Sequence, residues 1–456
     1  MLRIFGQPNV IASSKTRPFR IAWNKLDAES EAPGPDLTDE AYPGARAGRW
    51  PLSGLGLPMV QGYALDRRDA DIGLTDDFDV IHPLSSPTPV FVGAMTQALS
   101  LYLDALRFGA AFTVFVSHWA GERYSGGLFW QLMGYGRTSV IVFFVLSGFV
   151  IAWVTETRER SFEDYAFSRI ARLYSVIVPA FLLTAVLDRL ATAIDPQLYG
   201  PEVSLGPVER FLGYALSLVF LGESWGLTML PGFNVPFWSL NYEAWYYVLF
   251  GAALFLRGRR RTVVVIAAAL LSGPKILLLL PIWLMGLLAW RWRAALPARQ
   301  GPPLAVAAVV AFAALDALGA QHLFGVAATS WLPFSFSAYD YVVGALVAVF
   351  ITALANTPLR LPGDREQRLI RWLAGTSFGL YLYHYPLLNF FGTVVPGSAA
   401  GTMHGMLVFG LTLGVALPLA HLTEQWKKPM KRMLHSGFDA ARRKYRDPAT
   451  GGRGIS

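Results

Sequence analysis

Arg107 and His118 lie eleven residues apart inside one apolar run, LYLDALRFGAAFTVFVSHWA. A cation and an imidazole in a membrane-length segment are expensive to bury and mark a functional site. At about 1.5 Å per residue they stand roughly 16 Å apart along a helix axis. They cannot bond each other, but they could serve one long ligand reaching most of the way across a bilayer. The plainer reading is a snorkelling arginine and a helix-end histidine. It suits His118 better than Arg107, which lies ten residues into the run.

Three further stretches carry chemistry. In FSRIARLYSVIVP, Arg169 and Arg172 are three apart and share a helix face. They are either topology anchors or a clamp for phosphate oxygens. In NVPFWSLNYEAWYYVLF, the aromatic residues Trp238, Trp245, Tyr246 and Tyr247 fit an interfacial belt. Glu243 does not, and needs an arginine, a histidine or a ligand hydroxyl as partner. In GTSFGLYLYHYPLLNFF, Tyr381, Tyr383, His384 and Tyr385 share one segment, where a buried histidine bonded to a tyrosine is the plainer alternative. The run GRTSVIVFFVLSGFVIAW holds little acid or base. Its Ser147-Gly148 lets helices approach closely, and no elbow motif marks Ser147 as a nucleophile.

The elements that must position these residues are membrane helices. Of 456 residues, 54% are hydrophobic and 15% charged, well below the quarter usual in soluble domains. The composition points to an all-α polytopic membrane protein. There is no cysteine, which excludes disulfides, thiolate metal sites and cysteine nucleophiles. No metal site is expected. The formal charge is +8. The surplus sits beside apolar runs and reads as a topology signal, not as a nucleic-acid footprint.

Apolar segments at 97–119, 139–155, 173–190, 238–256, 262–272, 275–290, 303–320, 338–355, 375–394 and 404–422 predict about ten transmembrane helices. The stretch 211–222 is short and ambiguous, and a hairpin is expected to break at Ser272-Gly273-Pro274. Basic clusters at Arg158–Arg172, Arg257–Arg261, Arg291–Arg299, Arg360–Arg371 and Lys427–Arg432 then all fall on one side, the cytoplasmic side. Both termini are expected there, in the inner (cytoplasmic) membrane. The domain organisation follows: a cytosolic, largely extended or disordered N-terminal extension, 1–95, rich in Pro, Gly and Asp; a transmembrane domain, 96–426; and a basic cytosolic tail, 427–456, lying against the anionic leaflet.

Together these motifs resemble the membrane-bound acyltransferase family 3, bacterial enzymes that O-acylate O-antigens, exopolysaccharides, peptidoglycan and Nod factors. The matches run in family order: Arg107 eleven residues before His118, FFVLSGF, the Arg169/Arg172 pair, WSLNYEAWYY, SFGLYLYHYPL and HLTEQWKKPMK. The family's usual proline after the arginine pair reads Ser175 here.

The resemblance implies transfer of an acyl group from an acyl-CoA co-substrate, acetyl-CoA foremost, to a hydroxyl of a saccharide or glycolipid acceptor. His118 would be general base, with Arg107 and Glu243 as further catalytic residues. Arg169 and Arg172 would hold the phosphates of CoA. Trp238, Ser239, Tyr381 and His384 would contact substrate. Glu243 could orient His118 or bind sugar hydroxyls, and His384 could relay a proton. A transporter or flippase of a lipid-linked saccharide would also use intramembrane charge, but its inverted repeats with broken helices are not found.

Overall fold

The computed structural model describes residues 95–196, 206–323, 337–397 and 401–446. All belong to the unit spanning residues 86–456. The N-terminal extension, apart from Met95, and residues 447–456 of the tail lie outside the described residues.

Local signals start and stop the helices. α1 (Gln97–Trp119) opens at Thr96, whose hydroxyl accepts from the Leu99 amide at 3.1 Å, satisfying one free donor of the first turn. A single turn, α2 (Glu122–Ser125), and then α3 (Tyr135–Thr157) follow. α4 (Phe162–Ile194) is capped by Ser161 in the same way as α1. α5 (Pro207–Leu218) begins on a proline, which needs no helical hydrogen-bond acceptor at its first position. α6 spans Trp238–Phe255 and α7 Gly258–Ser272. Gly273, at φ 78°, breaks the chain before Pro274 opens α8 (Pro274–Trp292). α9 (Gly301–Ala317), a short α10 (Ala320–Leu323) and α11 (Ala338–Ala355) come next. α12 (Asp364–Val394), α13 (Thr402–Glu424) and α14 (Lys427–Arg446) complete the described chain. Among the described residues there is no strand.

The chain is an all-α polytopic membrane protein. Seven helical stretches among the described residues are long and apolar enough to cross a bilayer: 97–119, 130–157, 162–194, 274–295, 298–317, 338–355 and 402–443. The expected count of ten is not reached on that criterion. α7 has fifteen residues, and α6 and α12 are made less apolar by the polar residues of the site described below. α4 and α12 begin at 162 and 364, well before the expected 173 and 375. Their first turns carry Glu, Asp and Arg that extend the helix past the apolar slab. The ambiguous stretch 211–222 is largely α5, whose twelve residues span about 18 Å, too short to cross. The 427–446 part of the tail is a helix packed on α4. Phe167 meets the rings of His435 and Phe438 at 4.9 and 5.6 Å, and His435 pairs with Asp164 at 3.3 Å.

Two packing relations position the site. α1 and α12 run parallel: Gln97 bonds Gln367, Asp104 bonds Arg371, and His118 bonds His384. α3 and α8 run antiparallel through two glycines. A Cβ on Gly148 would overlap the Trp283 carbonyl oxygen, and one on Gly286 would overlap that of Val145. Small residues let membrane helices approach to backbone contact. Connections at the basic end are tied together. Phe255 packs on Phe162, Trp290 donates to Glu156, and Asn356 donates to the Arg293 carbonyl at 2.7 Å. At the opposite end, Lys275 at the head of α8 pairs with the buried Glu223 and donates to the Leu227 carbonyl at 2.8 Å. Burial pushes the Glu223 carboxyl up to about 7 against the pull of that ammonium.

The glycine interface yields a paired test. Gly148→Ala and Gly286→Ala should each destabilise the detergent-solubilised chain by about 1–3 kcal/mol. Gly410→Ala, where a Cβ meets open space, should be neutral or slightly stabilising. Thermal unfolding of the three variants reads the contrast.

Candidate active site

The centre of the site is a cavity enclosed by α1, α3, α4, α6 and α12. Arg107 and Asp104 line it from α1, Ser147 from α3, Arg169 and Arg172 from α4, Ser239, Glu243 and Tyr247 from α6, and Ser377 and Tyr381 from α12. Ser239, Glu243 and Tyr247 recur at four-residue spacing and so share one face of α6. Apolar walls come from Phe143, Phe144, Leu146 and Val150. Six of the nine residues singled out in the sequence are therefore in one chamber: Arg107, Arg169, Arg172, Ser239, Glu243 and Tyr381.

The cations in the chamber differ in what answers them. Arg107 pairs with Asp104, which also takes Arg371 at 2.7 Å. Its Nε is buried without a hydrogen-bond partner. Arg169 is 8% exposed, pairs with Glu159 and lies over the rings of Tyr165 and Tyr247 at 5.2 and 5.6 Å. Arg172 is half-buried, and its guanidinium makes no hydrogen bond or ion pair among the described residues. The Arg-x-x-Arg pair thus splits: one member is held by the protein, and the other faces the chamber. Ser175 lies within the continuous α4 and donates to the Arg172 carbonyl at 3.3 Å.

Glu243 does not touch His118. Its Oε1 accepts from Ser147 Oγ at 2.8 Å and from the Tyr247 hydroxyl. Trp283 Nε1 in turn donates to Ser147 Oγ at 3.2 Å. The expectation that Glu243 could orient His118 is corrected by its position, on the arginine side of the chamber.

The partner of His118 is His384. Their Nδ1 and Nε2 atoms are 2.9 Å apart, and the rings are 5.2 Å apart at an interplanar angle of 14°. His384 is fully buried, and its Nδ1 lies 2.9 Å from the Leu380 carbonyl oxygen. Tyr381 separates this pair from the chamber. Its ring lies 6.3 Å from that of His384, its hydroxyl donates to the Pro236 carbonyl at 2.9 Å, and it bonds Ser239 Oγ at 2.7 Å. Phe143 closes the same wall, 5.6 Å from Tyr381. Trp238 does not line the chamber and packs edge-on against Tyr242 at 5.3 Å. Beyond His118, away from the chamber, the Tyr385 ring stands edge-on at 5.0 Å, and the Tyr124 hydroxyl donates to Asn389 Oδ1 at 2.6 Å.

The sequence reading does not single out Asp104, and it takes Ser147 for a helix-packing residue and Tyr247 for part of an interfacial belt, whereas both bond Glu243. The signal for Asp104 is an acid three residues before Arg107 on the same helix face. The polar groups form a track: arginines at one end, Glu243 and Ser147 in the middle, Ser239 and Tyr381 as the wall, and the paired imidazoles beyond it.

A family model described as an acyltransferase domain matches residues 100–421. The chain is also similar to "Acyltransferase MdmB" from Streptomyces mycarofaciens, with 32% identity over 155 residues, covering 32% of this chain and 37% of that protein. The chain thus matches little more than a third of the length of that curated relative. No solved structure matches.

The Glu243 cluster is testable without substrate. Glu243→Gln keeps an acceptor and should cost under about 1 kcal/mol, whereas Glu243→Leu strands two hydroxyls and should cost about 2–4 kcal/mol. Thermal unfolding in detergent compares the two.

Proposed function

The chain belongs to acyltransferase family 3, and on that premise we propose that it moves an acyl group from an acyl-CoA to a hydroxyl of a saccharide or glycolipid. The observation that carries this reading is the chamber with an unpaired guanidinium at one end and an imidazole pair behind a tyrosine wall at the other.

The donor comes from the basic end. Arg172, which makes no direct ion pair among the described residues, supplies the charge for a CoA phosphate, and Arg169 supports it from behind through Tyr247 and Glu159. The pantetheine arm lies along the apolar wall of Phe144, Leu146 and Val150 past Arg107. The unpartnered Arg107 Nε offers a hydrogen bond to an amide or thioester oxygen of that arm. Acetyl is the acyl group we favour. The acceptor meets His118 from the opposite end, between Tyr385 and the Tyr124–Asn389 pair.

The reaction balances without a covalent enzyme intermediate. His118 takes the proton of the acceptor hydroxyl as its oxygen attacks the thioester carbonyl. The carbon–sulfur bond breaks, and the leaving thiolate receives that proton. Glu243 holds Ser147 and Tyr247 in the chamber wall. By the positive-inside rule the basic end faces the cytoplasm, with both termini on that side of the inner membrane.

Arg172→Ala should weaken acetyl-CoA binding about tenfold or more, measured on the purified chain by calorimetry. An unchanged affinity would return Arg172 to a topology anchor. His118→Ala should abolish transfer of label from radiolabelled acetyl-CoA in expressing membranes while leaving that binding intact.

A further inference from the structure

We propose that His384 is a positioning residue that fixes the tautomer of His118, so that Nε2 of His118 is the basic atom. This inference rests on the acyltransfer reading above. It adds which nitrogen works and what holds it there.

The argument starts from a carbonyl. Nδ1 of His384 lies 2.9 Å from the Leu380 carbonyl oxygen. That oxygen only accepts, so Nδ1 of His384 carries the hydrogen. Among the described residues no carboxylate bonds either imidazole, so none supplies the counter-charge an imidazolium would need beside the buried His384 and half-buried His118. A neutral ring protonated at Nδ1 has a lone pair at Nε2. That atom lies 2.9 Å from Nδ1 of His118. His118 therefore donates through Nδ1, and its own Nε2 is left as an acceptor. The order Leu380 carbonyl, His384, His118, acceptor hydroxyl runs in one direction only.

The helices make this arrangement stiff. α1 and α12 are parallel and bonded at three levels, Gln97–Gln367, Asp104–Arg371 and His118–His384. Phe115 packs edge-on against the His384 ring at 6.0 Å, and Tyr381 stands on its chamber side. A histidine without this partner would be free to protonate at Nε2, and its Nδ1 lone pair would face the wrong way. In a catalytic triad a carboxylate sets the tautomer. Here a second, neutral imidazole does so without placing a negative charge in the membrane.

The test separates position from proton transfer. Gln at 384 places an amide oxygen near the former Nε2, so it can accept from His118 but cannot take up a proton. Leu at 384 can do neither. In expressing membranes given radiolabelled acetyl-CoA, His384→Leu should lower the maximal rate about 10³-fold with the apparent KM for acetyl-CoA unchanged. His384→Gln should recover most of that loss. Nitrogen-15 spectra of the full chain in nanodiscs, with histidine labelled and the His118→Ala variant used for assignment, should show Nδ1 of His118 protonated in the wild type and in His384→Gln. In His384→Leu the proton should move to Nε2. A His384→Gln chain as slow as His384→Leu, or a wild-type His118 protonated at Nε2, overturns the proposal. A His118→Ala chain that still transfers label would sink the acyltransfer role of that ring and leave the tautomer result standing.

Discussion

A guanidinium inside an apolar slab must be answered, by a carboxylate, by an aromatic face or by something brought from outside. That constraint organises the basic end of this protein. Asp104 answers Arg107 and Arg371 together, and Glu159, Tyr165 and Tyr247 answer Arg169. Arg172 feels Glu243, Glu424 and Glu159 only through space, makes no direct ion pair among the described residues, and lines the chamber. The distribution of direct counter-ions thus distinguishes the arginines more than their count does.

The other half of the site follows a different rule. No ion answers His118. A second ring does, and the line of hydrogen bonds ends on a backbone carbonyl of α12. In the proposed reaction, proton acceptance and anion binding would thus be carried by separate groups, His118 on α1 and Arg172 on α4. Between them the α3–α8 contact, stripped of Cβ atoms at Gly148 and Gly286, brings Ser147 within reach of both Glu243 and Trp283.

Much of this was legible in the residues. α1 and α11 coincide with their apolar runs, and the α7–α8 break falls on Gly273, because hydrophobicity and a glycine at positive φ are local signals. Six of nine candidate site residues meet in one chamber because they are polar where lipid forbids polarity. Three things were not legible. Polar residues make α6 and α12 less apolar than a spanning helix ordinarily is, so composition alone understates them. The partners of Glu243 and His118 are set by helix register between segments far apart in the chain, which no single-segment pattern encodes. The unequal fates of Arg169 and Arg172 depend on Glu159, ten residues before Arg169, across a turn.

The wall made by Tyr381 and Phe143 has a consequence for selectivity against water. In the proposed reaction, a thioester in the chamber and the imidazole pair would lie on opposite sides of a ring pinned by Ser239 and the Pro236 carbonyl. That ring would then shield the thioester carbon from solvent reaching the imidazole, and so limit wasteful hydrolysis of the donor.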